Sequence, residues 1–360
     1  MKIGVFGQKR IPSREGGVEV VAEELAVRMA RMGHQITCYN RTGKQGQYRG
    51  VTLKTVAAWN HKGLAAVTAS FSAAVLSALS SADVVHIHAE GPAYFCWLPK
   101  LFGKRVVVTV HGLDWRRAKW KGGFGAKFIR AGEKMAVRYA DEIIVLSANV
   151  QDYFEKTYGR HTIWIPNGVT KPEIAEPQQI RRRFGLEKDG YILFLGRLVP
   201  EKGVHYLIEA YRNVKTDIKL VIAGAASDTE DYVERLKIKA EPDERIVFTG
   251  FVQGQVLAEL YSNAWVYVLP SDVEGMPLSL LEAMSYGDCC LVSDIPECAE
   301  VVEDRGLTFP KGDISALGGC LQRLCSDPAV VAQYRETARE FICEKYNWDD
   351  VAVKTLELYR

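Results

Sequence analysis

Short apolar runs alternate along this chain with longer amphipathic stretches, and the pattern occurs in both halves. Lys2–Gly7 predicts a buried strand. After a glycine-bearing loop, Val18–Met32 carries apolar residues at helical spacing until Gly33-His34 stops it. Further strands are predicted at Gln35–Tyr39, Val84–His88, Val106–Val110 and Ile143–Leu146. The second half offers Tyr191–Leu195, Lys219–Ala223, Ile246–Thr249, Trp265–Leu269 and Cys290–Ser293, with helix-like sequence between them. Continuous apolar runs, rather than strict alternation, belong to strands covered on both faces, which means parallel sheets. The chain therefore reads as an α/β protein with two Rossmann-like parallel-sheet domains. Pro166-Asn167-Gly168 is a turn signal and Lys171–Pro177 is polar and proline-bearing, so the domains are expected at 1–170 and 171–345. A last helical segment, Asp349–Tyr359 within 346–360, is expected to pack back on the first domain.

Length and composition agree with this picture. At 360 residues, 48% hydrophobic and 25% charged, the chain suits two ordinary globular domains. Met1–Gly7 runs directly into Gln8-Lys9-Arg10, which is not the pattern of a secretory signal. Leu64–Leu79 is too short and too rich in Ser and Thr for a membrane span and predicts a buried Ala-rich helix. Eight cysteines without any Cys-x-x-Cys pair read as reduced core residues, and the expected location is the cytoplasm. Charge is unevenly shared. Met1–Thr170 holds 24 Lys+Arg against 12 Asp+Glu, leaving 22 against 32 for the remainder. A basic lobe suits an anionic acceptor or an anionic membrane surface.

Candidate chemistry concentrates in the acidic half. Glu274-Gly275-Met276-Pro277-Leu278 follows an apolar strand and leads into a helix carrying Glu282, eight positions after Glu274. Glycine and proline let the backbone approach a ligand, and helix-start N–H groups, those of Met276 and Leu278 included, attract phosphate. Glu282 is then placed to accept from ribose hydroxyls. Upstream, Gly196-Arg197-Leu198-Val199-Pro200-Glu201-Lys202-Gly203 supplies two cations for a pyrophosphate. Arg197 presents a planar fork and Lys202 a compact point charge. Together these features point to an enzyme that uses a nucleotide-activated donor.

In the basic half, Gly16-Gly17 sit between the first strand and its helix, where the chain can approach a pyrophosphate or an acceptor. Gly-x-Gly-x-x-Gly is absent there, which counts against a dehydrogenase. His111 ends the strand Val106–Val110, the position at which open α/β sheets hold ligands. His86 and His88 share one face of their strand; a metal pair is conceivable, but no third ligand is near and structural roles are favoured. No Asp-x-Asp occurs, so Arg197, Lys202 and helix N–H groups are expected to replace a divalent metal, and no cofactor is expected.

These motifs, with Pro166-Asn167-Gly168-Val169, Gly250-Phe251-Val252, Pro270-Ser271 and Asp294-Ile295-Pro296, resemble family 4 retaining glycosyltransferases with the GT-B fold, over essentially the whole chain. The resemblance implies two Rossmann-like parallel-sheet domains with an interdomain cleft. It implies transfer from a nucleoside-diphosphate sugar, with Glu274 contacting the transferred sugar and Val252 near the base. Gly-Gln8-Lys9-Arg10-Ile11-Pro12-Ser13-Arg14-x-Gly16-Gly17 and His111-Gly112-Leu113-Asp114-Trp115-Arg116 are similar to a subgroup acting in bacterial surface-polysaccharide assembly, which includes rhamnosyltransferases. On that basis Arg14, Asp114 and Trp115 are acceptor-side candidates. Trp115 to Lys121, followed by a run with Lys127, Arg130, Lys134 and Arg138, mixes aromatics with cations as a membrane interface does. The expected acceptor is a glycan, lipid-diphosphate-linked and met at the inner face of the cell membrane. No nucleic-acid motif accompanies these residues. Two other classes stay open: a nucleotide-sugar epimerase or phosphorylase of related fold, and a non-catalytic sugar-nucleotide-binding subunit.

Overall fold

The computed structural model describes residues 1–59, 61, 64–116 and 123–360. The chain divides into two compact units: Met1–Gly168 together with Trp348–Arg360, and Val169–Asn347.

In the first unit the strands are β1 (Lys2–Phe6), β2 (Gln35–Asn40), β3 (Gly46–Tyr48), β4 (Val51–Thr55), β5 (Val84–His88), β6 (Arg105–Val110), β7 (Glu142–Val145) and β8 (Ile163–Trp164). They form one sheet in the order β3-β4-β2-β1-β5-β6-β7-β8. All neighbours are parallel except β3 and β4. β5 is buried along its whole length and β6 nearly so, as strands covered on both faces must be. Winding reverses between β1 and β5, which pair Ile3 with Val84 and Phe6 with Ile87. Gly7, just beyond β1, has φ +116°, and a Cβ there would lie 2.0 Å from the His88 carbonyl oxygen. Any side chain at that position would force the two strand ends apart.

The short hairpin β3–β4 has no counterpart in the predicted strands. Its two turn residues, Arg49 (φ 47°) and Gly50 (φ 85°), both lie in the left-handed region, the signature of a type I′ turn. The helix expected at Leu64–Leu79 forms at Ala65–Ala78, but it is buried on one side only. Ala69, Ser70, Ala73, Ala74, Ser77 and Ala78 are buried, while Phe71 and Leu76 are 48% and 46% exposed. Small residues allow close packing on one side and leave the larger ones outside. The helix Trp348–Glu357 belongs to this unit. Asp349 pairs with Arg28 at 2.8 Å, and the Leu358 carbonyl accepts from Arg105 Nε at 2.6 Å.

The second unit holds β9 (Tyr191–Leu195), β10 (Lys219–Ala223), β11 (Ile246–Gly250), β12 (Val266–Leu269), β13 (Cys290–Ser293) and β14 (Leu307–Phe309). Its sheet runs β11-β10-β9-β12-β13-β14, parallel throughout, with the winding reversal between β9 and β12. β12 and β13 are wholly buried. Five of the eight cysteines are buried, three are half-buried, and all are free thiols.

Candidate active site

Open α/β sheets hold ligands beyond the carboxyl ends of their strands, at the winding reversal. In the second unit that point lies between the loops leaving β9 and β12. After β9 come Gly196 and Arg197, then a single 3₁₀ turn, Pro200–Lys202, opened by proline and closed by Gly203 at φ +68°. A Cβ on Gly203 would lie 1.9 Å from the Pro270 carbonyl oxygen, so only glycine lets this turn settle against the end of β12. Asp272 N–H donates to the Glu201 carbonyl at 2.8 Å and joins the two loops.

This seating delivers Lys202 to Glu274. Lys202 Nζ lies 2.5 Å from Glu274 Oε1, with the side chains only 12% and 8% exposed. Ser271, fully buried, donates its hydroxyl to the same oxygen at 2.6 Å. Gly275, Met276 and Pro277 are buried, and Pro277 in extended conformation opens the helix Leu278–Tyr286. The first N–H groups of a helix have no acceptor within it, and they carry a partial positive charge. Glu282 stands one turn along, where its Oε2 accepts from the Tyr261 hydroxyl at 3.1 Å. Tyr261 is fully buried, which pushes its phenol well above the ordinary range and keeps it a neutral donor. Val252 follows β11 on the same edge of the sheet.

Sequence reasoning named Lys202, Glu274 and Glu282 without finding what fixes them. Ser271 lay inside the Pro270-Ser271 motif, whereas Tyr261 had no local signal because its partner is contributed by a different helix.

In the first unit the corresponding carboxyl edge carries Gln8, His88, Glu90, His111 and Asp114. His88 Nδ1 and His111 Nε2 are 3.0 Å apart, and the rings of His86 and His88 stand 4.3 Å apart. Both ring nitrogens of His86 are engaged, by Thr109 Oγ1 at 2.7 Å and the Tyr359 hydroxyl at 2.6 Å. Burial, reinforced by the neighbouring imidazole, holds His86 and His88 well below the usual histidine range, so both are neutral. The imidazoles of His86, His88 and His111 thus stand side by side. Among the described residues no group of three or more His, Cys, Asp or Glu side chains could hold a metal ion.

Gly16 opens the helix Gly17–Arg31 in extended conformation, and Arg14 points to Glu24 at 3.5 Å. Two buried carboxylates that sequence reasoning did not single out secure the loop after β6. Glu90 Oε2 accepts from the Asp114 N–H at 2.9 Å. Glu133 accepts from Trp115 Nε1 at 3.2 Å, from Tyr153 at 2.9 Å and from the Tyr158 hydroxyl. Arg130 lies over the Trp115 ring, 4.0 Å from its centre. Arg117 to Lys121, part of the aromatic and cationic stretch read from the sequence, lie outside the described residues.

Burial, and then the adjoining Glu133 carboxylate, raise Glu90 well above the ordinary carboxylate range. A carboxyl whose folded pKa is raised contributes stability that is present at and below its unfolded pKa and is lost as pH rises to the folded value. The wild-type melting temperature should therefore fall more steeply than that of Glu90→Gln as pH rises above the ordinary carboxylate range. Parallel thermal melts that superimpose over that rise would show that Glu90 is ionised throughout.

Comparison with known proteins gives the class of the chain. Residues 15–171 match the family described as "Glycosyltransferase Family 4", and residues 177–341 match "Glycosyl transferases group 1". An uncharacterised glycosyltransferase of Methanocaldococcus jannaschii is 28% identical, covering 100% of this chain and 98% of its own. The α-maltose-1-phosphate synthase of Mycolicibacterium smegmatis is 26% identical, covering 100% and 99%. Among solved structures, Anabaena HepE in complex with UDP-glucose superposes with a TM-score of 0.82 at 19% identity, over 99% of both chains. The fold is thus GT-B, and the chain is a glycosyltransferase. The two glycosyltransferase models together span most of the chain, and the one on its first half is the family 4 model.

Proposed function

We propose that this protein moves a sugar from a nucleoside-diphosphate sugar to a hydroxyl of a glycan, with retention of anomeric configuration and without a metal. The observation that carries the reading is the Lys202–Glu274 pair at the winding reversal of the second unit, next to the Arg197 loop and ahead of Glu282. Charge develops on the leaving diphosphate as the sugar–oxygen bond breaks, and preorganised cations stabilise it. Lys202 is the compact cation for this task, and Arg197 the bidentate one. Glu274 occupies the ammonium in this pair. A diphosphate would take over part of that charge and leave Glu274 to accept hydrogen bonds from the sugar hydroxyls. Helix-start N–H groups after Pro277 add to the anion site, and Glu282, oriented by Tyr261, accepts from the ribose. His111 is assigned to the sugar, and Arg14, Asp114 and Trp115 to the acceptor. The UDP-glucose bound to the Anabaena relative supports a nucleotide-sugar donor.

For the acceptor we infer a lipid-diphosphate-linked glycan of a surface polysaccharide, met at the inner face of the membrane. The helix Phe124–Tyr139 supports this reading. Lys127, Arg130, Lys134 and Arg138 form an exposed cationic row on it, and Phe124 is 83% exposed. Phe128 packs on Tyr94 at 4.9 Å, and Phe71 on Phe95 at 5.5 Å, so aromatic rings border the row. Rings at headgroup depth and cations against anionic lipid suit peripheral binding. Among the described residues no helix is long and apolar enough to cross a membrane.

A thermal-shift screen with UDP, TDP, GDP and ADP, with and without EDTA, tests the donor site. At about a hundredfold its Kd a ligand stabilises by roughly 2.7 kcal/mol, or several degrees for a unit of this size. We expect one nucleotide to stand out and EDTA to leave its shift unchanged. Loss of the shift with EDTA would replace the metal-free reading. Release of free nucleoside diphosphate only when an acceptor is present separates transfer from epimerisation.

A further inference from the structure

The second unit has an open recess of about 660 Å³ at the opposite edge of its sheet, beside the amino ends of β9, β12 and β13. Asp189, Tyr286, Asp288, Arg335, Thr337 and Arg339 are among the residues that line it. The donor chemistry described above uses none of them.

Two buried polar atoms in this lining have no hydrogen-bond partner among the described residues: Asp288 Oδ2 and Arg339 Nε. Asp288 is only 3% exposed. Leaving such groups unpaired is costly, and both atoms are closed to solvent, so a slight parting of the recess wall would let a ligand that both donates and accepts pair with them. Burial also raises Asp288 well above the usual carboxylate range, consistent with a neutral carboxyl in this position.

The rest of the lining narrows the chemistry. Arg335 is committed to Asp189 at 2.8 Å and to the carbonyls of Ala264 and Trp265. Arg339 already donates through one terminal nitrogen to the Pro172 carbonyl at 2.6 Å. Lys188, Arg335 and Arg339 are offset by Asp189, Glu336 and Glu340, so no net positive field is present to draw a phosphate. A neutral polyol fits this balance, because each hydroxyl both donates and accepts. Tyr286 supplies an aromatic wall, held in place by stacking on Tyr261 with ring centres 5.3 Å apart and planes 17° apart. Ligand sites combine such a ring with a few fixed polar groups.

We propose that this recess is a second carbohydrate site, which holds a neutral oligosaccharide segment at the edge of the sheet remote from the donor loops. A glycan is preferred over other polyols on the strength of the glycosyltransferase activity; the recess and its unpaired atoms are independent of the donor assignment. A vicinal diol would satisfy Asp288 and Arg339 together while the sugar's C–H face lies on Tyr286. The purpose of such a site is to keep a growing or neighbouring chain attached between transfers, raising its effective concentration.

Affinity electrophoresis of the full chain in native gels containing dextran, glycogen or an α-mannan tests this. The wild type should be retarded by at least one of the three. Thr337→Trp, which fills the recess from the helix Pro328–Lys345, should weaken that retardation at least tenfold. The nucleotide-induced thermal shift of Thr337→Trp should be unchanged, which separates this site from the donor site. Tyr286→Ala should weaken retardation as well, and Thr337→Trp carries the test if that variant does not fold. No retardation in any gel, or retardation that survives in Thr337→Trp, would overturn the proposal. The latter result would assign the glycan to the acceptor groups of the first unit.

Discussion

Lys202→Ala should lower kcat by about 10²–10³-fold, the usual cost of losing one preorganised group that stabilises developing negative charge. The effect has two sources with separate signatures. Loss of the ammonium removes stabilisation that grows as the diphosphate leaves, and this appears in kcat. The substitution also strands Glu274, a nearly buried carboxylate whose remaining hydrogen bond comes from Ser271. Removing one member of a buried pair is costly because the other charge stays behind. The variant should therefore melt earlier in the absence of ligand, and Lys202→Ala/Glu274→Gln should recover much of the stability but none of the activity. Turnover measured as nucleoside diphosphate release, with melts of both variants, decides the matter. A change confined to KM would mean that Lys202 holds donor and transition state equally.

Glu282→Ala should raise the Kd for the preferred nucleoside diphosphate about 10- to 100-fold, as expected when a charged acceptor worth roughly 1.5–3 kcal/mol is removed. Tyr261→Phe should produce a smaller rise, because the phenol orients the carboxylate and does not itself receive the ribose. Calorimetric titration of the three proteins measures both changes. An unchanged affinity in Glu282→Ala would remove the ribose assignment and leave the phosphate contacts intact.

The parts of this protein that could be read from its sequence were those set by local chemistry. Strands such as β5 and β12 announce themselves as apolar runs because both their faces are covered. Gly196 to Gly203 and Glu274 to Glu282 were visible because a ligand-facing loop needs fixed residue types at fixed spacing. What escaped depends on distant partners. The β3–β4 hairpin turns on Arg49-Gly50, a weaker signal than Asn-Gly for the same backbone. β14, three residues long at a sheet edge, is below the length at which periodicity is informative. Tyr261, Glu90 and Glu133 look like ordinary helix residues until the fold places them beside Glu282, Asp114 and Trp115. The Leu64–Leu79 run predicts a buried Ala-rich helix, and composition alone does not reveal that Phe71 and Leu76 stand on its exposed side.

One contact sets an order of events during synthesis. The hydroxyl of Tyr359 bonds His86, whose ring packs on His88, and His88 in turn meets His111. The first unit opens with β1 at the start of the chain and is completed by residues made after the whole of the second unit. A ribosome therefore releases a second unit with all its strands before the first has its closing helix. Until then His86 lacks the Tyr359 hydroxyl, and a chain stalled before Trp348 holds every strand of both sheets but not the helix that closes the first unit.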